Sequence, residues 1–339
     1  MKNKKRIKWI DFVKGLCMYW IIVSHIGAPD LYVRFYTPFF LTSFFFISGY
    51  TWNPKNNFKQ YLQGKVKGLV IPLLSLGSIN AVIAIVIEGD SWIYRFGGLI
   101  LQRSCVWDDL WFLACLFSAQ IIFYLIYNGS KNIKKIHVRL LTMGFFSLIL
   151  AIAAYIYILY INIKLPWQFE NACILSFFVF SGYLYRNIEF ILIFYEKNRL
   201  MLPVILCLYF VCIYIVDNNV NIHSERYGNF LGFILCSTIG TYSFILFSKK
   251  MENINYSKKI YSLIIWVGKN TLVFYAFQSK VIKIVKIIYN KLDIPINTYF
   301  NVFLAASIIY LVLILPAFVI NKWFPFILGK QKYNSLKGT

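Results

Sequence analysis

The stretch LLTMGFFSLILAIAAYIYILYIN at residues 140–162 contains no charged side chain. An α-helix rises about 1.5 Å per residue, so about 20 apolar residues span the ~30 Å hydrocarbon core of a bilayer. Apolar runs of similar length recur from one end of the chain to the other. This pattern predicts a protein with several membrane-spanning helices.

The composition of the 339-residue chain supports the same interpretation. Hydrophobic residues make up 59% of it and charged residues 14%, whereas soluble domains have about 45–50% and about 25%. The mean hydropathy is +0.63. Because a soluble core cannot hide this much apolar surface, the composition excludes soluble enzymes, disordered chains and secreted disulfide scaffolds.

The apolar runs predict an all-α, polytopic integral membrane protein with about ten helices in one bundle. No linker is long enough to separate domains, so we expect a single membrane domain over residues 1–339. The predicted spans lie near residues 12–28, 35–52, 69–87, 110–127, 140–162, 171–187, 200–216, 229–247, 260–279 and 298–320.

The formal net charge of +22 reflects an excess of Lys and Arg. Most of these residues fall in loops that are cytoplasmic if both termini are cytoplasmic, as the positive-inside rule requires. We therefore expect the lipid bilayer, and no nucleic acid, as the partner of this charge. Lys280, Lys283 and Lys286 are an exception, because they recur on the outer side at helical spacing among Ile and Val. They predict a helical extension lying along the outer surface.

The cysteines do not predict a metal site or a disulfide framework. No CxxC pair occurs, and no His stands at metal-ligand spacing from them. Four of the seven cysteines clearly lie inside apolar runs, namely Cys17, Cys115, Cys207 and Cys212. We interpret them as structural residues.

Three ionisable side chains share one face of the first predicted helix. Each costs about 2.5–3.5 kcal/mol near the centre of a span, so it indicates a functional role by default. At about 100° per residue, Asp11, Lys14 and His25 fall within a sector of about 60°, and Lys14 lies roughly 16 Å from His25 along the axis. One interpretation is an elongated substrate lying along the helix. The other is a simple pair of Asp11 with Lys14 at the inner interface and a packing role for His25.

The segment RIKWIDFVKGLCMYWIIVSH at residues 6–25, followed by FFFISGY at residues 44–50, resembles the start of membrane-bound acyltransferase family 3. That family has a basic residue eleven positions before a histidine. The form WIDFVKG is similar to its fucose 4-O-acetylase-like branch. Three later matches follow in order along the chain: LWFLACLF at 110–117, SGYLYRN at 181–187 and VGKNTLVFYAFQ at 267–278.

The chain departs from the family pattern at two places. Gln278 stands where the family's late helix usually ends in His, so this position contributes hydrogen bonding and no proton acceptor. Lys65 and Lys67 stand where Arg is frequent, which replaces bidentate recognition of phosphate with point-charge attraction.

The resemblance implies transfer of an acetyl group from cytoplasmic acetyl-coenzyme A, a co-substrate, to a hydroxyl of a cell-surface or lipid-linked sugar. We expect the bacterial cytoplasmic membrane as its location. Lys14, Lys65 and Lys67 would hold the acyl-CoA donor. His25 would accept the proton of the sugar hydroxyl or carry the acetyl group itself, and Asp11 would balance the charge of Lys14 when the donor is absent.

Other residues are weaker predictions for cavity lining or acceptor binding. FFFISGY and FFVFSGY, the latter at residues 177–183, are similar to each other, which either an old duplication or shared helix packing explains. Packing is the favoured role for the serines of both motifs over oxyanion stabilisation. The full set is Ser48, Trp111, Glu170, Ser181, Lys269, Asn270 and Gln278.

The two remaining histidines, His137 and His223, lie in predicted loops, and we interpret both as surface residues. A rival interpretation of the whole chain is a transporter or flippase for a glycan or lipid-linked intermediate, because buried charges also mark substrate pathways. Against it, the strongest polar constellation lies on one helix and not at paired broken helices in two inverted halves.

Overall fold

The computed structural model describes residues 6–53, 57–103, 110–216, 220–253 and 258–330. The predicted cytoplasmic placement of both chain ends depends on residues 1–5 and 331–339, which lie outside the described residues. Lys55, in a loop predicted to be cytoplasmic, also lies outside them.

The described residues fold into α-helices joined by short connections. Residues 66–70, between α4 and α5, form one π-helical turn. The helices are α1 (Lys8–Ile26), α2 (Asp30–Tyr36), α3 (Thr42–Tyr50), α4 (Phe58–Lys65), α5 (Ile71–Glu88), α6 (Trp92–Leu101), α7 (Trp111–Ser130), α8 (Ile136–Tyr160), α9 (Phe169–Glu196), α10 (Met201–Ile215), α11 (Phe230–Asn253), α12 (Lys258–Lys269), α13 (Thr271–Lys291), α14 (Asn301–Val312) and α15 (Ile314–Trp323).

Within the described ranges, seven helices or continuous helix runs are long and apolar enough to cross a membrane. This confirms the predicted all-α, polytopic membrane architecture. The seven are Lys8–Ile26, Phe58–Glu88, Trp111–Ser130, Ile136–Tyr160, Pro166–Glu196, Phe230–Glu252 and Asn301–Trp323.

Two of the predicted spans are broken helices. The span predicted at residues 35–52 consists of the end of α2, turns at residues 37–41 and α3. The span predicted at residues 260–279 consists of α12 and the start of α13, which are bent by 92°. At this bend the Asn270 side chain donates to the Trp266 carbonyl at 2.8 Å, so a local side-chain bond competes with the helical backbone pattern.

The helix α1 packs closely against α12 through two glycines. A Cβ atom on Gly15 would lie 2.2 Å from the carbonyl oxygen of Ile264, and one on Gly268 would lie 1.7 Å from the carbonyl oxygen of Asp11. Larger residues at either position would force the two backbones apart. These contacts fix the position of the helix that carries Asp11, Lys14 and His25.

The two similar motifs FFFISGY and FFVFSGY contact each other across the α3–α9 interface. A Cβ atom on Gly49 would lie 1.8 Å from the Val179 carbonyl oxygen, and one on Gly182 would lie 1.8 Å from the Phe46 carbonyl oxygen. The contact is therefore reciprocal. Small-residue packing accounts for the occurrence of Ser-Gly-Tyr on both helices.

This close contact makes Gly182 sensitive to one added methyl group. We expect Gly182→Ala to lower the free energy of unfolding by about 1–3 kcal/mol, because the backbone of α3 must move. The matched control is Gly97→Ala, since a Cβ atom there meets nothing within 4 Å. Thermal unfolding of both purified variants in detergent measures the difference. Equal midpoints for the two variants would contradict the described interface.

Candidate functional site

A cavity of about 800 Å³ opens at the end of α1 that carries His25. Its wall is assembled from α1, α2, the residues after α2, the first residue of α7, a hairpin at residues 220–226 and one face of α13. The lining combines aromatic, hydroxyl, imidazole, amide and ammonium groups, and includes His25, Tyr36, Trp111, His223, Tyr275, Gln278, Ser279, Lys283 and Lys286.

His25 lies in the last turn of α1 and faces this cavity. The helix ends just after it, at Gly27, whose φ of 101° lies in the left-handed region that glycine tolerates. The ammonium group of Lys286 donates a hydrogen bond to the His25 carbonyl oxygen at 3.2 Å. Thus α13 holds the end of α1 in place, and the His25 side chain is exposed to the cavity and not sealed in packing.

One face of α13 supplies much of the remaining wall. Tyr275, Gln278, Ile282 and Lys286 recur at intervals of three or four residues, so they project from the same side of the helix. On α5, Asn80 donates to the Ala276 carbonyl oxygen at 2.7 Å and fixes this helix. The helical spacing of polar residues along α13 is the sequence signal that predicts such a face.

The position of this face changes the interpretation of the three lysines that were predicted to lie along the outer surface. Lys283 and Lys286 line the cavity, so this part of α13 does not simply lie along the outer surface among lipid headgroups. Lys280 is on the same helix and forms an ion pair with Glu88 at 3.0 Å. The prediction of a helical extension is confirmed, since α13 continues to Lys291.

Gln278 is 2% exposed, and its side-chain oxygen Oε1 has no hydrogen-bond partner in the described part of the chain. A buried amide oxygen without a partner costs free energy, typically about 1–3 kcal/mol. Gln278 lines the cavity wall, so this oxygen lies beside the space that a bound molecule would occupy.

His223 lines the same cavity as His25, so the prediction that it is an ordinary surface residue is wrong. Its ring centroid lies 5.1 Å from that of Trp111. The hairpin that carries His223 is closed by backbone hydrogen bonds between Asn221 and Arg226 at 2.7 and 2.9 Å. In the sequence this hairpin is a polar connection without periodicity, which is why its contact with the cavity could not be predicted. His137 is exposed, as predicted.

Asp11 and Lys14 lie at the opposite end of α1 and do not line the cavity. The Asp11 carboxylate is 2% exposed and accepts two hydrogen bonds from the Arg6 guanidinium at 2.5 and 3.0 Å. Lys14 Nζ lies 3.3 Å from the same carboxylate. The i,i+3 pair predicted from the sequence therefore exists, with Arg6 as a third member that the sequence reasoning missed.

Two of the predicted site residues, Lys67 and Asn270, take part in contacts near the Asp11 end of α1. Lys330 Nζ donates to the Asn321 side chain at 2.7 Å, and Asn321 donates to Asn270 at 2.9 Å. A Cβ atom on Gly329 would lie 1.8 Å from the Lys67 carbonyl oxygen, so the end of the chain's described part packs against the π-helical turn. Burial and the nearby charge of Arg6 lower the pKa of Lys330.

These contacts place Lys67 and Asn270 on elements that meet at one end of the bundle. Lys67 and Lys269 are exposed there, and Lys65 Nζ lies 5.1 Å from the centre of the Tyr61 ring. The Asp11 end of the bundle is thus rich in ammonium and guanidinium groups, whereas the His25 end contains the cavity.

Three other predicted residues lie away from the cavity lining. Ser48 donates to the Phe45 carbonyl at 2.8 Å and Ser181 to the Phe177 carbonyl at 2.9 Å, so both hydroxyls bond within their own helices. Glu170 is 2% exposed and accepts a hydrogen bond from the Leu165 amide at 3.3 Å. These hydrogen bonds within the protein favour a packing role over acceptor binding for all three residues.

The fold and the cavity together define an integral membrane protein with a cavity of mixed polar and apolar lining at one end of its helical bundle. Residues 7–322 match the sequence pattern of acyltransferase family 3, described as "Acyltransferase domain". The chain therefore belongs to this family and is a membrane acyltransferase. The comparison with curated proteins gave no match, and the comparison with solved structures gave none.

Family membership confirms the resemblance found in the motifs and supports an enzyme over a transporter or flippase. The fucose 4-O-acetylase-like branch stays a prediction, as do the roles of the individual site residues.

The contacts of Asp11 with Arg6 and Lys14 should stabilise the folded protein. We expect Asp11→Asn to destabilise the protein by about 3–5 kcal/mol, because removing one partner leaves the half-buried Lys14 charge without compensation. Adding Lys14→Met removes that charge, so the double variant should recover part of the loss. Thermal unfolding of the two single variants and the double variant measures the coupling. Strictly additive effects would show that the ion pair contributes nothing.

Proposed function

We propose that this acyltransferase moves an acetyl group from acetyl-coenzyme A to a hydroxyl of a cell-surface or lipid-linked sugar bound in the cavity. The observation that carries the proposal is the position of His25, whose side chain lines a cavity of about 800 Å³ at the far end of α1 from the basic Asp11 end. The proposed location is the bacterial cytoplasmic membrane, with the Asp11 end facing the cytoplasm.

The proposed chemistry uses His25 as the general base. A neutral imidazole can accept the proton of the attacking hydroxyl. The hydroxyl oxygen forms a bond to the thioester carbonyl carbon, the carbon–sulfur bond breaks, and the proton passes to the departing coenzyme A thiolate. In a second route the His25 imidazole attacks the thioester carbon and the coenzyme A thiolate leaves. The sugar hydroxyl then attacks the acetyl carbon, the bond to the imidazole breaks, and the hydroxyl proton passes to the thiolate.

The acceptor would bind between the aromatic and amide groups of the cavity. Trp111 provides a planar apolar surface, and Gln278 Oε1 is an acceptor that lacks a partner in the described residues. A sugar provides both apolar ring faces and hydroxyl donors, so it satisfies both groups at once. Such hydrogen bonding orients one hydroxyl toward His25, which supplies part of the rate enhancement through positioning.

The donor would enter from the Asp11 end. Coenzyme A carries several phosphate charges, and the ammonium groups of Lys14, Lys65 and Lys67 are the proposed partners of these phosphates. Lys14 and His25 are eleven residues apart on one helix, or roughly 16 Å along its axis. An extended pantetheine arm following α1 would bring the thioester from the basic end toward His25, with Asp11 balancing the Lys14 charge in the absence of donor.

Loss of the His25 imidazole should slow the chemical step strongly. We expect His25→Ala to reduce acetyl transfer by about 10²- to 10⁴-fold, the usual contribution of a general base. Membranes supplied with radiolabelled acetyl-coenzyme A, followed by counting of the glycan fraction, measure this rate. His137→Ala is the matched control, because His137 is exposed and distant in the fold from the cavity lining. Undiminished transfer by the His25 variant would remove it from the mechanism.

Loss of the Lys14 ammonium group should weaken donor binding more than chemistry. We expect Lys14→Ala to raise the KM for acetyl-coenzyme A by about tenfold with a smaller change in kcat, since a charged hydrogen bond contributes about 1.5–3 kcal/mol. Lys131→Ala, at an exposed turn after α7, is the control. Initial rates are normalised to folded protein. An unchanged KM in the Lys14 variant would contradict the phosphate-binding role.

A further inference from the structure

The charged side chains that line the cavity in the described part of the chain are positive. Among the described residues that line this cavity, two are lysines, Lys283 and Lys286, two are histidines, and none is Asp or Glu. A cavity that binds a neutral sugar through hydroxyl groups needs hydrogen-bond acceptors, for which carboxylates are well suited. The two ammonium groups, with no carboxylate among the described lining residues, favour a negatively charged substrate over a neutral one.

Lys286 is only partly satisfied by the protein. Its Nζ donates to the His25 carbonyl oxygen at 3.2 Å, and no carboxylate lies within ion-pair distance in the described part of the chain. An ammonium group has three donors, so two remain for a bound molecule. Because it bonds to the backbone of His25, the positive charge of Lys286 lies beside the residue proposed to perform the chemistry.

Lys283 shares its carboxylate partner with two other cations. Glu88 lies 2.8 Å from Lys283 Nζ, 3.0 Å from Lys280 Nζ and 3.5 Å from Arg95. Glu88 therefore holds Lys283 at the edge of the cavity formed by α13, where 57% of the Lys283 side chain remains exposed.

We propose that the acceptor of this acyltransferase is an anionic glycan, whose phosphate or carboxylate group binds Lys283 and Lys286 while a nearby hydroxyl faces His25. The proposal rests on the proposed function and specifies its substrate class. Charge-assisted hydrogen bonds from the two ammonium groups would fix the anion. Gln278 would accept a hydrogen bond from a hydroxyl of the same molecule, so the charged group and the amide together orient the sugar.

Binding of matched sugars tests this proposal without any acetyl donor. The probes are methyl glucoside, methyl glucuronide and glucose 1-phosphate, together with the corresponding galactose compounds, titrated calorimetrically into the full-length protein in neutral detergent. We expect the anionic probes to bind at least about tenfold more tightly than the neutral ones, because hydrogen bonds to a charged group are stronger than those between neutral groups. The uronides and the phosphates distinguish the two sources of negative charge.

Two lysine variants show whether α13 supplies the binding charge. Lys286→Gln should weaken binding of the preferred anionic probe by at least about tenfold. Lys291→Gln on the same helix should leave it unchanged, because Lys291 is exposed and does not line the cavity. Near-equal binding of neutral and anionic probes, no binding of any probe, or no effect of Lys286→Gln overturns the proposal.

A lipid headgroup is the other source of an anion near these lysines. We expect the anionic glycan probes to bind the protein both in nanodiscs of neutral lipid and in nanodiscs of anionic lipid. If the probes bind only in neutral lipid, because anionic lipid occupies Lys286 in the other nanodiscs, the proposal is overturned.

Acetyl transfer separates the anionic acceptor from the proposed function. Acetyl transfer to neutral acceptors alone would retain the proposed function and reject the anionic acceptor. Binding of anionic probes without any transfer would reject the proposed function.

Discussion

The close contact between the backbones of α1 and α12 is the constraint on which the site depends. Gly15 and Gly268 allow each helix to approach a carbonyl oxygen of the other, at distances that any larger residue would prevent. Since α1 carries Asp11 and Lys14 at one end and His25 at the other, this contact sets where these residues lie in the bundle. The bend after α12 then directs α13 across the bundle, so that its polar face meets the end of α1.

The polar residues of α1 serve two separate environments. At one end the Asp11 carboxylate is buried between Arg6 and Lys14, and contacts through Asn270 and Asn321 lead to Lys330. At the other end His25 faces an open cavity. A single helix roughly 27 Å long thus separates a basic, ion-paired end from an end that opens into a cavity.

The family motifs have different physical roles in this chain. The Ser-Gly-Tyr motifs position α3 against α9, with both serine hydroxyls bonded within their own helices. The late helix contributes Gln278, a buried amide, to the cavity wall. The residues with catalytic potential are consequently few, and most of the matching sequence supports the bundle that holds them.

The sequence by itself determined the membrane class, the approximate positions of the long helices, the shared face of α1 and the family, because hydrophobicity and helical periodicity are local properties. It did not determine the breaks near Pro38 and Asn270, where turn geometry and side-chain bonds interrupt apolar runs. Only the tertiary structure brought His223 and Lys286 to the cavity of His25, since these residues are far apart in the chain and meet through helix packing. That packing depends on long-range contacts, which no single-segment pattern contains.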